Sequence, residues 1–311
     1  MIYETHPEAC IVSCFFNPQK SVVRRVVFQQ FHKSIKHLNH RIVECAIGDD
    51  NWQLPESEFT QRVRTKDLLW HKEGLLNQAI RGLPRELRYI FWVDADVLFT
   101  NPRWLSDSVG ILQSKTIVQP FEYCVHLERG ESQPGFDLES AKPLHGGRST
   151  LHHRVWRSFG AAHAMGLSGH SAYNIHGHVG FAWGARREVL AATGLYDKAL
   201  ACGADHIMAH AAVGQIIHPC IQRAFGNSLG EIAEWSNNFH RATKGKLGYA
   251  PGDLYHLWHG DVDKRAYHQV IPDFDSRTDI ILSQDESGLY ASPQGNQYLR
   301  EYFGRREVLG D

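Results

Sequence analysis

The fold of this 311-residue chain is decided by residues 89–96, which read YIFWVDAD. A short apolar run rich in aromatic and β-branched residues predicts a buried strand of an α/β sheet. Asp94 and Asp96 follow where the chain leaves the sheet, and open α/β sheets bind ligands at the carboxyl ends of strands. Two carboxylates this close repel unless a cation or a proton lies between them. We therefore expect Mg²⁺ or Mn²⁺ bridging these acids to substrate phosphates, with helix capping as the alternative.

The segments before this strand predict a parallel sheet. Residues 11–16 and 41–47 have the composition of strands, and residues 21–38 between them carry an apolar stripe at helical spacing. A strand, a helix and a strand at this spacing form a right-handed βαβ unit. A helix is also expected over 66–81, with Lys72 on its apolar face. Its ammonium group either reaches solvent or points into an anion-binding cleft.

Regularity is lost between residues 121 and 176. Four basic residues occur between 140 and 160 and no acid occurs between 140 and 187, which predicts a long lid or substrate loop. The basic residues are Lys142, Arg148, Arg154 and Arg157. Later segments predict helices near 186–193 and 203–213, a short strand at 216–218, an edge strand at 254–260 and little regular structure after 270.

Composition excludes several classes of protein. Hydrophobic residues make up 42% and charged residues 22% of the chain, and the net charge of -1 argues against broad electrostatic capture of nucleic acid or membrane. No membrane span and no secretory signal is predicted. Six cysteines without a Cys-x-x-Cys pair argue against zinc ribbons and thioredoxins and favour a reducing, cytoplasmic setting. Twenty histidines are unusual, but no single one is diagnostic.

Four motifs in chain order resemble the GT-A fold nucleotide-sugar glycosyltransferases, in particular galactosyl- and N-acetylgalactosaminyltransferase-like bacterial or phage enzymes. The N-terminal βαβ unit carries Glu44 near the end of its second strand, and residues 94–96 match the family's Asp-x-Asp. Residues 177–183 are similar to the glycine- and tryptophan-bearing acceptor segment, and Asp205 follows at the position of an acid that opens a helix. Residues 256–260 are similar to the C-terminal histidine segment that closes the metal site.

The resemblance, which spans residues 10–268, implies a GT-A fold: a mixed, mostly parallel sheet flanked by helices, in a single domain with a long irregular loop. It implies sugar transfer from a nucleotide-diphosphate sugar, first of all a UDP-sugar, to a hydroxyl acceptor with inversion. Residues 10–120 would bind the donor and 121–270 the acceptor, with 271–311 as a tail. Mn²⁺ or Mg²⁺ would neutralise the charge that the diphosphate gains in the transition state.

Roles for individual residues follow from the same resemblance. Asp96 would ligate the metal and His259 would add a nitrogen ligand, while Asp94 would contact the metal, its water or the ribose. His256 is placed on the opposite face of the strand. Asp205 would accept the proton of the acceptor hydroxyl as general base. It stands alone where the family carries two acids, so a helix N-cap is the alternative.

Other positions would hold the substrates. Three residues would line the nucleobase and ribose pocket, namely Phe16, Asn17 and Glu44. Lys72 and Arg265 would pair with the diphosphate. Three residues of the glycine-rich segment would contact the acceptor, namely His178, Gly180 and Trp183, whose ring would form an apolar wall.

Two other classes of function stay open. A haloacid-dehalogenase-like phosphatase also uses a strand-terminal Asp-x-Asp, but on its first strand, whereas here two strands come earlier. A catalytically silent carbohydrate-binding relative is compatible with the single acid at position 205. A carbohydrate or glycoconjugate acceptor is favoured, while the basic loop leaves a nucleic-acid acceptor such as a modified DNA base open.

Overall fold

The computed structural model describes residues 2–260 and 265–308. The strands in these residues are, in chain order, β1 (Ala9–Phe16), β2 (His40–Ile47), β3 (Thr60–Thr65), β4 (Tyr89–Val93), β5 (Val97–Phe99), β6 (Ile117–Gln119), β7 (Tyr123–His126), β8 (Val155–Arg157), β9 (Ala182–Arg186), β10 (Leu247–Tyr249), β11 (Asp253–His256), β12 (Ser283–Gln284) and β13 (Tyr290–Ala291). The helices are α1 (Val22–Ile35), α2 (Lys72–Arg81), α3 (Trp104–Leu112), α4 (Leu138–Ala141), α5 (Phe159–Ala164), α6 (Tyr173–His176), α7 (Arg187–Thr193), α8 (Ala204–Ala212), α9 (Pro219–Ala224), α10 (Leu229–Thr243), α11 (Tyr267–Ser276) and α12 (Pro293–Val308).

The central sheet has the order β10-β6-β9-β4-β1-β2-β3 within the described residues. Neighbouring strands are parallel except where β9 pairs with β4 and β6. Helices cover both faces: α1 and α3 pack on one, and α2, α7, α8 and α10 on the other. The predicted fold class, α/β with a mixed and mostly parallel sheet flanked by helices, is confirmed.

The continuous apolar run in β4 is explained by burial on both faces. Ile90 and Trp92 pack into the core under α2, whereas Tyr89, Phe91 and Val93 pack into the core under α1 and α3. A strand covered on both sides needs apolar residues at every position, not at alternate ones. The neighbouring β9 accommodates Phe91 with a glycine at 184, because a Cβ there would collide with the Phe91 ring.

The ends of the strands fix where a ligand can bind. Order in the sheet reverses between β1 and β4, and such a switch point opens a crevice at the carboxyl ends of the strands. Because β9 is antiparallel, its first residue Ala182 pairs with the last residue of β4, Val93. The segment before β9 therefore lies at the same edge as the acids after β4.

A second sheet of order β5-β11-β7-β8 adjoins this edge. β5 begins at Val97, directly after the acids, and pairs antiparallel with β11. The backbone N–H of Leu257 also donates to the carbonyl of Asp96 at 2.8 Å. The predicted strand near 254 thus exists but is an interior strand, not an edge strand. Its position brings the histidines that follow it to the acids.

Some predicted elements are wrong. The helix expected over 66–81 begins only at Lys72, and β3 precedes it instead. No strand forms at 216–218, where the described chain turns into α9. The tail after 270 contains most of α11 and all of α12, whose buried residues pack on Leu68 and Leu69. Among the described residues no helix has the length and apolar character needed to cross a bilayer.

Candidate active site

A cleft of about 1400 Å³ opens at the switch point. Its walls come from the ends of β1 and β4, the segment before β9, the start of α8 and the residues after β11. These elements are far apart in sequence and meet because of the order of the strands in the sheet. Most of the polar side chains singled out in the sequence lie in this cleft.

Three side chains converge at the carboxyl end of β4. His259 Nε2 lies 2.9 Å from Asp96 Oδ2, His256 Nε2 lies 3.8 Å from the same oxygen, and the two Nε2 atoms are 3.2 Å apart. Ligand atoms bound at about 2.0–2.2 Å to one dication lie about 3–3.5 Å from each other. The triangle therefore has the dimensions of one face of a metal coordination sphere.

The chemistry of the three groups fits a dication. Asp96 Oδ1 is buried without a hydrogen-bond partner among the described residues, which costs about 1–3 kcal/mol unless something else binds it. Burial opposes ionisation of Asp96, but hydrogen bonds from His256 and His259 outweigh it and hold its pKa well below the ordinary value. Burial and the nearby Arg265 lower the pKa of His259 to about 3, so its ring is neutral. Two imidazoles with one carboxylate suit Mn²⁺ better than Mg²⁺.

The prediction that His256 points away from this group is wrong. Strand alternation, extended to residue 260, placed His256 and His259 on opposite faces. However, β11 ends at His256, and the chain then turns so that both rings meet at Asp96. The ring of His256 is held from its other side by His126, with the two Nδ1 atoms 3.2 Å apart.

Lys72 lies at the centre of a second group of charges. Its Nζ is 2.8 Å from Asp94 Oδ1 and 3.0 Å from Asp205 Oδ2, and Glu73 Oε1 is 3.9 Å away. Three carboxylates around one ammonium leave excess negative charge in a partly buried place. Burial raises the pKa of Asp94 to about 7, and the acids Asp205 and Asp96 add to the rise while Lys72 opposes it.

This arrangement separates the two predicted metal-binding aspartates. Asp94 pairs with Lys72, whereas Asp96 faces the histidines. Lys72 is the first residue of α2, not a residue in the middle of a helix, and its side chain points into the cleft. It contacts carboxylates there, so any contact with a diphosphate would be an additional one.

Asp205 is not a helix N-cap. Helix α8 begins at Ala204, and its N-cap is Gly203, which has φ +96°. A Cβ at Gly203 would lie 2.8 Å from the Phe225 ring, so glycine is required there by both conformation and space. The carboxylate of Asp205 instead lines the cleft beside Lys72.

Phe16 and Arg265 line the cleft as expected of substrate-binding residues. The Phe16 ring meets the Trp70 ring edge to face, with centroids 6.2 Å apart, and forms an aromatic corner at the end of β1. Arg265 is nearly buried, and its Nη2 lies 3.2 Å from His259 Nε2. It therefore places a positive charge next to the Asp96 group.

Asn17 and Glu44 do not reach the cleft, so their predicted contacts with the donor are wrong. The Asn17 amide is buried and bonds to Ser21 and Gln53. The buried carboxylate of Glu44 accepts hydrogen bonds from the backbone N–H groups of Gln53 and Leu54. Both side chains hold the loop after β2 in place.

Trp183 is also not a wall of the cleft. It is 1% exposed in β9, and its indole N–H donates to the carbonyl of Val179 at 2.8 Å. Pleating turns it toward the core, so the predicted stacking on a sugar ring is wrong. Aromatic side chains that do line the cleft include Trp156 and Tyr173, with ring centroids 5.4 Å apart, and Arg148 lies over the Trp156 ring.

The segment before β9, which carries His178 and Gly180, does line the cleft. It is held from both sides. The carbonyl of Phe181 accepts from the N–H of Asp94 at 2.7 Å, and the carbonyl of His178 accepts from Gln119 Nε2 at 3.1 Å. A Cβ at Gly180 would lie 3.7 Å from Asp205 Oδ2, so this glycine brings the backbone close to the acid.

Two of the four basic residues of the predicted loop pair with acids that lie outside residues 140–187. Lys142 lies 3.3 Å from Asp253, and Arg154 lies 2.7 Å from Glu131. Arg157 is buried and donates to backbone carbonyls. The segment also contains β7, β8 and α4 to α6, so it is a structured part of the cleft wall. The prediction of an irregular basic lid over the cleft is therefore wrong.

Comparisons with known proteins give distant likenesses. No family model matches the chain, and no curated protein matches it. Among solved structures, the Drosophila β1,4-galactosyltransferase 7 catalytic domain with xylobiose is 11% identical with a TM-score of 0.37, covering 93% of this chain and 97% of that one. Glucosyl-3-phosphoglycerate synthase from Mycobacterium tuberculosis with Mn²⁺, UDP-glucose and phosphoglyceric acid is 11% identical with a TM-score of 0.40, covering 91% and 86%. A putative nucleotide-diphospho-sugar transferase from Desulfovibrio desulfuricans is 11% identical with a TM-score of 0.34, covering 97% of both chains.

Proposed function

We propose that this protein is a metal-dependent glycosyltransferase that moves a sugar from a nucleotide-diphosphate sugar to a hydroxyl acceptor. The observation that carries the proposal is the convergence of Asp96, His256 and His259 at the switch point of the sheet. A three-ligand site leaves coordination positions open for a ligand, as catalytic metal sites do. It also faces a cleft large enough for a nucleotide sugar and part of an acceptor.

Asp96, His256 and His259 would hold Mn²⁺, which when bound stabilises the charge that develops on a departing diphosphate. Arg265, beside His259, would contact the same phosphates from the protein side. Phe16 and Trp70 offer an aromatic corner for a nucleobase at the end of β1. Asp94 would position the ribose or a metal-bound water. A UDP-sugar is the donor proposed first, on the family resemblance.

Asp205 would act as the general base. Its carboxylate lies in the cleft near Gly180, where the backbone leaves room for a hydroxyl to approach. Accepting the proton of that hydroxyl while it attacks the anomeric carbon from the face opposite the diphosphate gives inversion. Lys72 holds Oδ2 of Asp205 at 3.0 Å, so it orients the base. Trp156 and Tyr173 would contact the sugar of a carbohydrate or glycoconjugate acceptor.

The direct test is a thermal-shift panel of nucleoside diphosphates and their sugars, with and without Mn²⁺. The proposal expects one nucleobase to raise the melting temperature strongly, and only when Mn²⁺ is present. A matched panel on Asp96→Ala should show no manganese-dependent rise. A wild-type protein that no nucleotide stabilises under any metal would contradict the proposal.

Two other functions are separated when Fe²⁺, and Mg²⁺ with phosphate, are added to the panel. Two histidines with one carboxylate also bind Fe²⁺ in mononuclear oxygenases. Such an enzyme would respond to Fe²⁺ without a nucleotide requirement. A phosphatase of the haloacid-dehalogenase type would respond to Mg²⁺ with phosphate or its analogues instead of to nucleotides.

A further inference from the structure

A second group of histidines lies beside Asp205, and two of its members, His206 and Cys220, also line the cleft. His206 and His210 are one turn apart on α8, His176 ends α6, and Cys220 lies in α9. One ligand atom from each of the four lies within 4.8 Å of all the others. Cys220 Sγ is 3.0 Å from His206 Nε2 and 3.3 Å from His210 Nε2. Nitrogen and sulfur ligands of one tetrahedral zinc ion lie about 3.3–3.6 Å apart.

Three of the four side chains are buried, His206 is half-buried, and the group holds no carboxylate. His176 and His210 are fully buried and Cys220 is 7% exposed. No acid among the described residues forms an ion pair with any of the four. The charged side chain that acts on this group is Arg223, which lowers the pKa of His176 and of His206. Three imidazoles packed together in this way are not held by ion pairs.

Hydrogen bonds alone also leave the group incomplete. The Cys220 sulfur can accept from His206 and His210 and donate to His218, whose Nδ1 is 2.7 Å away. His176 Nε2 then remains buried with no partner in the described part of the chain. An unpaired buried nitrogen destabilises the folded state, and a cation at the centre of the group would satisfy it.

The surroundings orient ring nitrogens toward that centre. His176 Nδ1 lies 3.0 Å from the carbonyl of Gly177, so it carries the proton and Nε2 keeps its lone pair. His210 Nδ1 lies 2.7 Å from the Gln215 amide, which can present either its oxygen or its nitrogen. With the oxygen there, Nδ1 donates and Nε2 is free to ligate. His218 stacks on His210 and is anchored to Gly169. Partners of this kind fix histidine ligands in metal sites.

We propose that His176, His206, His210 and Cys220 form a closed, tetrahedral zinc site with a structural role. Three imidazoles bind through Nε2, and Cys220 binds as the thiolate after releasing its thiol proton to solvent. Four protein ligands leave no open position, which is typical of structural and not catalytic zinc. Sulfur among the ligands favours zinc over Mn²⁺ or Mg²⁺.

The site would join three helices that build one side of the cleft. His206 is the neighbour of Asp205, and His176 stands two residues before His178. Fixing His206 and His176 to one ion therefore fixes the distance between the proposed base and the segment before β9. This inference does not depend on the transfer reaction, since it rests on the four ligands alone.

Metal content of the purified full-length chain, without an affinity tag that binds metal, is the first test. Mass spectrometry should find about one zinc per chain, retained through dialysis. Cys220→Ser should lower the zinc content at least about fivefold. Cys45→Ser, which removes another buried thiol, and Asp96→Ala, which removes the carboxylate of the cleft site, should both keep it. Zinc below about 0.1 per chain after dialysis against zinc, or equal content in Cys220→Ser, would overturn the proposal.

Cobalt substitution of the wild-type protein provides a measurement that needs no variant to fold. Co²⁺ at this site should show a thiolate-to-cobalt charge-transfer band and the intense visible bands of tetrahedral coordination. The cleft site contains no thiol and cannot give the first band. A cobalt-loaded protein without it would show that Cys220 is not a ligand. Asp96→Ala should retain the band even if it has lost every nucleotide response, so the two proposals fail separately.

Discussion

Two histidine clusters of this protein adjoin the same cleft and differ in the number and chemistry of their ligands. The Asp96 cluster has two imidazoles and one carboxylate, faces the cleft and lies beside Arg265. The Cys220 cluster has three imidazoles and one thiol, comes from three helices and is mostly buried. One offers open positions and the other offers none.

The difference teaches that ligand number and ligand chemistry, not the presence of histidine, separate a reactive site from a structural one. A carboxylate among the ligands also brings a negative charge, which suits a hard dication that binds phosphates. A thiolate in a closed shell suits zinc and holds helices together. The chain would therefore use one residue type for two purposes a short distance apart.

The largest effect is expected from Asp96→Ala. This change removes the only carboxylate of the Asp96 cluster, so the rate of sugar transfer should fall by at least about 10³-fold. Calorimetry should show that donor binding no longer depends on Mn²⁺, while zinc content stays at the wild-type level. Donor binding with unchanged manganese dependence would refute the assignment of the Asp96 cluster as the manganese site.

Asp205→Asn should have the next largest effect. Asparagine keeps the shape of the side chain but cannot accept the hydroxyl proton, so kcat should fall about 10²–10⁴-fold. The Kd of the donor should not change, because the metal site and the aromatic corner are intact. Activity close to that of the wild type would leave Asp205 as a partner of Lys72 only. It would also favour a binding protein over an enzyme if the wild type itself shows no turnover.

Glu73→Gln tests the buried carboxyl group beside Lys72. Burial raises the pKa of Glu73 to about 8, although Lys72 opposes the rise. Between about pH 4.3 and pH 8 the folded protein then binds a proton that the unfolded chain has lost, so stability falls as pH rises across this window. The variant lacks this dependence and should gain about 1–3 kcal/mol on the wild type between pH 5 and pH 8.5.

Urea denaturation at both pH values, without added manganese, measures that gain. Parallel stability curves for Glu73→Gln and the wild type would show that Glu73 stays ionised in the folded state. The control is Glu188→Gln, since the Glu188 side chain is 70% exposed and does not line the cleft.

The smallest effect is expected at Trp156 and Tyr173, the aromatic side chains proposed to contact the acceptor. Trp156→Ala should raise the KM for the acceptor about 2–10-fold with little change in donor binding, because it removes stacking area from the cleft. Trp183→Phe should leave this KM unchanged and lower stability, because Trp183 is in the core. Equal effects of both changes on KM would contradict the assignment of Trp156 to acceptor binding.

The first half of the sheet could be predicted from the sequence because local pattern and tertiary role agree there. β1, α1, β2 and β4 are apolar runs of the right length, and their ends differ from the prediction by a few residues at most. β3 was missed because residues 60–65 read TQRVRT, and a polar strand at the edge of the sheet does not show the apolar run that marks a buried strand. The rule that ligands bind at strand ends then placed Asp94 and Asp96 at the cleft without further information.

The remaining site residues depend on features that sequence patterns do not encode. His256 was misplaced because alternation holds only while the chain stays extended, and β11 stops there. Trp183 was misplaced because the antiparallel direction of β9 is set by its neighbours. The Cys220 cluster was missed because its ligands come from three helices, and only the spacing of His206 and His210 by four residues gives a local signal.

The tethering of residues 178–181 has a consequence for how ligands are recognised. Hydrogen bonds to Asp94 on one side and to Gln119 on the other fix this segment before any substrate arrives. A docking molecule therefore meets a wall that loses little conformational entropy on contact. Discrimination at this wall would come from rigid shape, so a poorly fitting acceptor would be rejected instead of accommodated.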